Sequence, residues 1–175
     1  MLPTPLKKHD KICIISPSGS ILPEYIDGAT KLLENWGYSV LQGTHCREEY
    51  GRFAGTEAQR IADLQNALDD GSVRAILCSR GGYGLAQIID KIDFSKFERS
   101  PKWLIGFSDI TILHSAVNNR DIASIHSIMA KHLTELAADA PAVVQLKNIL
   151  QGNFPEYEFR WENLNRTGVA TGKLI

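Results

Sequence analysis

The feature that most constrains this chain is an alternation of short, uninterrupted apolar runs with stretches of helical periodicity. "KICIIS" (11–16), "VRAILCS" (73–79) and "KWLIGF" (102–107) suit strands buried on both faces. "YSVLQG" (38–43) and "IASIH" (122–126) complete five candidate strands. Between them, Tyr25, Ile26, Ala29, Leu32, Leu33 and Trp36 recur at helical spacing until Gly37 stops the helix. Thr56 and Gln59 form a capping box ahead of Ile61, Leu64 and Leu68. A short helix holds Leu85, Ile88 and Ile89, another carries Ile112, Leu113, Ala116 and Val117, and 139–150 reads as a further one. This rhythm predicts an α/β fold: an open parallel sheet with helices on both faces, of the Rossmann/flavodoxin-like kind.

A net charge of −1 points to neither nucleic acid nor an anionic membrane as partner. The longest apolar runs are too short to span a bilayer, and the polar, proline-broken "LPTPLKKHDK" after Met1 is no secretory segment. Cys13, Cys46 and Cys78 are odd in number and widely spaced, with neither zinc spacing nor a disulfide framework. A reducing compartment, most simply the cytoplasm, is the expectation.

In a parallel sheet, ligands sit outside the carboxyl ends of the strands. The segments falling there are "SPSGS", "SRGGYG", "GFSD" and "SIHSIM", so the unusual stretches converge on one edge. "GFSD" is a strand ending in Gly–x–Ser and turning into a helix, which is the form of a nucleophile elbow, although Ile110 stands where G-x-S-x-G has its second glycine. Ser108 is then either a nucleophile with the Asp109 amide facing a developing oxyanion, or a cap for the helix behind it; caps outnumber nucleophiles, so this motif alone favours the cap. The glycines of "SRGGYG" can present bare amides, from Gly81 or Gly82, with Arg80 free for a carboxylate, or can simply form a tight turn; a phosphate cradle is weaker, for want of G-K-[ST]. "SPSGS" is an anion-binding helix start or, more simply, a turn capped by Ser20.

A serine nucleophile needs a base. His9 and His45 lie in polar segments and read as surface residues. His114 is six residues after Ser108, about 9 Å along the helix and on another face. His132 reads as solvated. His126, at the end of a neighbouring strand, is the one histidine able to approach Ser108, though a hydrogen-bonded residue shaping the pocket is the simpler reading.

Together, "ISPSG", "SRGGYG", "IGFSDIT.LH" and "SIHSIM" resemble, in order and spacing, the N-terminal domain of the L,D-carboxypeptidase family of serine peptidases, which includes the microcin immunity proteins. "HSIM" departs from the family's His–Gly–Pro–Met. The resemblance implies a Ser–Glu–His triad with Ser108 as nucleophile and an oxyanion hole from the amides of Asp109 and Gly82. Arg80, Gly81, Ser18 and His126 are the candidate substrate contacts. No metal and no cofactor is implied. The family's Glu and His come from a second domain, and no residue of this chain receives either role. Residues 1–152 are accordingly expected to form the nucleophile-bearing domain. Residues 153–175, read as β-type stretches around a turn at "LNRTG", would lead into a further one. The implied reaction is hydrolysis of the bond to the terminal D-amino acid of murein tetrapeptide during cell-wall recycling, with this chain inactive alone and self-associating as a homodimer. Alternatives are a microcin-immunity-like hydrolase of peptidyl-nucleotide analogues, and a non-catalytic anion-binding α/β module.

Overall fold

The computed structural model describes residues 1–156 together with 166, 168, 169 and 171. In chain order its elements are β1 (Lys11–Ile15), α1 (Pro23–Asn35), β2 (Ser39–Gln42), α2 (Glu57–Asp69), β3 (Val73–Cys78), α3 (Ser95–Arg99), β4 (Trp103–Gly106), α4 (Thr111–Asn118), β5 (Ile125–His126), α5 (Ala130–Glu135) and α6 (Pro141–Leu150). All five strands pair in parallel, in the order β2-β1-β3-β4-β5. The α/β fold with a parallel sheet is therefore as expected from the alternation of strand and helix.

The two-residue period of the strands divides the core. Ile12, Ile14, Ala75, Leu77, Trp103 and Ile105 point to one face, where α1, α5 and α6 cover them with Ile26, Leu33, Leu133 and Leu146. Cys13, Ile15, Ile76, Cys78 and Leu104 point to the other, against Leu64 and Leu68 of α2 and Leu113 and Val117 of α4. Strands buried on both faces explain why the central runs carry almost no polar residue.

The Thr56–Gln59 capping box is present, each side chain engaging the other's backbone N–H. At the other end of α2, the buried Lys102 ammonium donates to the carbonyls of Ala67 and Asp70 at 3.1 and 2.6 Å, closing groups the helix leaves open.

Three local expectations change. Leu85, Ile88 and Ile89 lie not in one helix but in two 3₁₀ turns, Leu85–Gln87 and Ile89–Lys91; burying Leu85 and Ile88 together needs a three-residue repeat. β5 has two residues rather than five, because the Ala123 N–H donates to the carbonyl of Met1 instead of continuing the ladder to β4. Ser20 does not cap α1, which starts from Leu22 with Pro23 in its first turn. The β-type stretches expected beyond 153 lie mostly outside the described residues.

Candidate active site

β4 ends at Gly106, and the chain turns through a 3₁₀ segment, Ser108–Ile110, into α4. Ser108 holds φ at +65°, the left-handed region that L-residues other than Asn and Asp rarely enter. A strained residue persists only when its surroundings hold it, and here they do. Gly106 is fully embedded, its carbonyl accepting from the Ser127 N–H at 3.1 Å and from His114 Nε2 at 2.9 Å. Ser108 itself is exposed, and its hydroxyl caps nothing: neither the 3₁₀ turn nor α4 has a side-chain cap. The cap reading, favoured by the motif alone, is set aside by this geometry.

Three loops meet at the turn. A Cβ placed on Gly81 would stand 3.1 Å from Ser108 Oγ and 3.3 Å from the Phe107 carbonyl, so the "SRGGYG" backbone lies directly against the serine. Gly82, at φ +128°, needs glycine for its conformation and packs against Gly19 of "SPSGS". Asp109 ties the loops together: one carboxylate oxygen accepts from Ser18 Oγ at 2.6 Å and from the Leu85 N–H at 3.0 Å. The backbone N–H groups of Asp109 and Gly82, by contrast, donate to nothing among the described residues.

Arg60 completes the scaffold and was not singled out in the sequence. It is buried, and its guanidinium donates to the carbonyls of Pro17 (3.2 Å) and Gly84 (2.9 Å) and to Gln87, with Phe53 beneath it at 4.9 Å. Burial lowers its pKa, opposed by the charges of Glu57 and Asp109. The signal was available: Arg60 and Asp63 fall with Leu64 and Ala67 on the buried stripe of α2, where charge has no place without a polar job.

The candidate substrate contacts separate. Gly81 adjoins Ser108, and Arg80 follows β3 with Nη1 donating to the Ser20 carbonyl at 3.1 Å. Ser18 is fully buried and gives its proton to Asp109 rather than offering it outward. His126 pairs in register with Gly106 and is exposed; its ring contacts Phe107 and His114 at 6.1 and 5.8 Å, and its side chain makes no hydrogen bond among the described residues. Two other histidines correct their sequence reading. His132 is half-buried, its ring 5.2 Å from Phe107, because α5 folds back over the end of β4. His45 is anchored by Asp63, which accepts from its backbone N–H and lies 3.0 Å from Nδ1. No histidine among the described residues bonds to Ser108, and no group of three His, Cys, Asp or Glu among them could hold a metal ion.

His114 is wedged between the Gly106 carbonyl and Ser124 Oγ at 2.7 Å. A carbonyl only accepts, so Nε2 carries the proton and Nδ1 accepts from Ser124. Burial holds its pKa below the ordinary 6.5, with the Gly106 bond opposing. The unfolded chain therefore binds this proton more readily. The stability this gives is full above pH 6.5 and is lost as pH falls toward the depressed value. His132 shares the direction, chiefly through burial. Melting temperature is expected to drop between pH 7 and pH 5, and the drop to be shallower in His114→Gln, whose amide can still donate to Gly106. An unchanged slope in that variant would remove His114 from the account.

No helix among the described residues is long and apolar enough to cross a membrane. The three cysteines are free and buried, and burial pushes the Cys13 and Cys46 thiols up to about 12 and about 11.

Fold and turn define an α/β domain presenting a strained, exposed serine at the carboxyl edge of a parallel sheet. The chain belongs to the LD-carboxypeptidase N-terminal domain family, Peptidase S66, which matches residues 12–127. It is 37% identical to a Bacillus subtilis protein named probable murein peptide carboxypeptidase, over 99% of this chain and 56% of that protein. It is 35% identical to the murein tetrapeptide carboxypeptidase of Pseudomonas aeruginosa, over 75% of this chain and 43% of that protein. The fold superposes on the crystal structure of an MccF-like protein from Bacillus anthracis with a TM-score of 0.78 and 30% identity, over 86% of this chain and 47% of the other. The chain thus spans about half the length of the curated relatives it matches.

Proposed function

We propose that this chain is the nucleophile-bearing part of a cytoplasmic serine carboxypeptidase that removes the terminal D-amino acid from murein tetrapeptide. The observation that carries the reading is Ser108: left-handed at φ +65°, exposed, its hydroxyl uncommitted and its side chain against Gly81. Its Oγ attacks the scissile carbonyl carbon while a base takes the hydroxyl proton. The carbonyl oxygen, now negative, receives the two free N–H groups of Asp109 and Gly82. The C–N bond breaks, the D-amino acid leaves with the proton, and water releases the acyl group from Ser108. Arg80 receives the substrate's carboxylate. Ser18, buried beneath Asp109, acts by holding that residue in place. The names of the murein carboxypeptidase relatives support the substrate class.

In this reading residues 1–152 are the nucleophile domain, 153–175 lead to a second one, and that domain supplies the triad's Glu and His. The full-length protein is expected to release D-alanine from murein tetrapeptide, and the 175-residue chain to release little or none. Turnover by the short chain, abolished by Ser108→Ala, would instead give the base role to His126. Cleavage of a peptidyl-nucleotide analogue in preference to tetrapeptide would favour the microcin-immunity-type activity.

Gly81→Ala tests the contact with the serine. The added methyl meets Ser108 and the Phe107 carbonyl closely enough to push the serine by a few tenths of an ångström, and since a full ångström costs about 10²-fold, a loss of roughly tenfold in rate is expected. The variant should stay folded, since Gly81 is not among the glycines at positive φ. Full activity would contradict the placement. Val144, in the first turn of α6, and Phe154, just beyond its end, are exposed around one surface depression, and we expect homodimers in solution; a strictly monomeric sedimentation profile at high concentration would count against them.

A further inference from the structure

In a sheet of order 2-1-3-4-5, the loops after β1 and β3 diverge to opposite faces, leaving a crevice at the carboxyl edge where α/β proteins hold ligands. That crevice is here a cavity of about 480 Å³ whose walls include Ser20, Tyr25, Arg47, Glu49, Arg80 and Lys131. Its size suits a small organic group. Three of its side chains are cations, and their present partners differ. Arg47 is paired with Asp27, and Lys131 stands 3.6 Å from Glu135 in an exposed pair of the kind that contributes little. Arg80 donates to the Ser20 carbonyl and stands in no ion pair among the described residues, with Glu49 as the acidic residue of the cavity wall, so most of its five N–H donors are unused.

A backbone contact brings Arg80 and Lys131 to the same cavity. The Lys131 N–H donates to the carbonyl of Ser79 at 3.0 Å, which sets the first turn of α5 beside the residue preceding Arg80. Arg80 in turn precedes Gly81, the glycine against Ser108. The Arg80 side chain thus lines the crevice while the next residue of its loop packs against Ser108.

We infer that this crevice is a carboxylate subsite, in which Lys131 joins Arg80 in gripping the free terminal carboxylate of the substrate and so determines that the enzyme trims a chain end. The inference rests on the carboxypeptidase reading and adds a residue and a specificity to it. Binding a carboxylate satisfies Arg80 with a charge-assisted pair and draws Lys131 from Glu135, whose carboxylate keeps its hydrogen bond with Tyr25 of the cavity wall. An internal peptide bond presents an amide at this point, which gives Arg80 no charged partner and leaves Lys131 with Glu135.

Lys131→Met separates this role from a structural one, because the lysine's anchoring bond is made by its backbone N–H and survives the change. The full-length protein is assayed on murein tetrapeptide and on its C-terminal amide. The expected result is that kcat/KM for the acid, relative to the amide, falls about tenfold in Lys131→Met, chiefly through KM. An unchanged ratio would overturn the inference. A second measurement does not depend on turnover: N-acetyl-D-alanine and its amide are titrated into the 175-residue chain and followed by amide NMR shifts. Shifts at Tyr25, Arg80 and Lys131 with the acid alone, weakened in Lys131→Met, support the subsite. Shifts elsewhere, equal shifts with the amide, or none contradict it. If the full-length protein hydrolyses neither peptide, the carboxypeptidase reading fails, and the titration still decides whether the crevice takes carboxylates.

Discussion

Replacing Ser108 with alanine in the full-length protein is expected to lower D-alanine release by three orders of magnitude or more, about what loss of a serine nucleophile costs when only binding and oxyanion contacts remain. The same residue should show the reverse effect on stability. At φ +65° a serine carries local strain of about 1–3 kcal/mol, which glycine relieves. Ser108→Gly is therefore expected to be as inactive as the alanine variant yet to melt higher than wild type. A helix cap behaves oppositely: removing a capping hydroxyl costs stability and leaves catalysis nearly intact. The two substitutions, read by melting temperature and turnover together, separate the alternatives that the "GFSD" motif left open. A Ser108→Gly variant that melts lower and still turns over would restore the cap.

The second large effect is expected at Asp109. Among the described residues its carboxylate oxygen is the sole partner of the buried Ser18 hydroxyl and of the Leu85 N–H, and its charge faces the buried Arg60. Asp109→Ala orphans both donors and removes the nearby negative charge. At about 1–3 kcal/mol for each buried group left without a partner, the loss is about 2–6 kcal/mol, a large part of the stability of a domain this size. Both bonds end on one oxygen, so Asp109→Asn can keep them with its amide carbonyl. That variant should lose much less stability while forfeiting the attraction to Arg60. Denaturant melts of the pair check the account; equal losses would mean that charge, not hydrogen bonding, holds the loops. Activity should fall in Asp109→Ala, because the Asp109 N–H and the "SRGGYG" backbone move with the loops this side chain holds together, and much less in Asp109→Asn.

How much of this was visible beforehand follows from what each element needs. The strands around Ile14, Ile76 and Leu104 were legible because burial on both faces excludes polar residues over several consecutive positions. The Thr56–Gln59 box was legible because it is local chemistry within four residues. β5 was overdrawn because its end is decided by Met1, more than a hundred residues away in sequence and silent in any local pattern. The 3₁₀ turns after Gly84 were read as a helix because Leu85 and Ile88 at a spacing of three serve either geometry. At the site, the convergence of "SPSGS", "SRGGYG" and "GFSD" followed from topology, so the meeting of Ser108 and Gly81 at one edge was legible. Ser18 was expected to face outward, since a small hydroxyl in a Gly/Pro-rich loop gives no sign of which way it points. His132 was read as solvated because nothing local records that α5 folds over Phe107. Arg60 escaped notice, although its place on the apolar stripe of α2 marked it as a buried charge with work to do.

The central claim is that Ser108 is the nucleophile, and covalent capture tests it most directly. The full-length protein is treated with a fluorophosphonate, its intact mass is measured, and the modified peptide is sequenced. The expected result is one adduct per chain, on Ser108, absent from Ser108→Ala and slowed by murein tetrapeptide. An unmodified Ser108 in a protein that still releases D-alanine would contradict the account, and so would an adduct on any other serine.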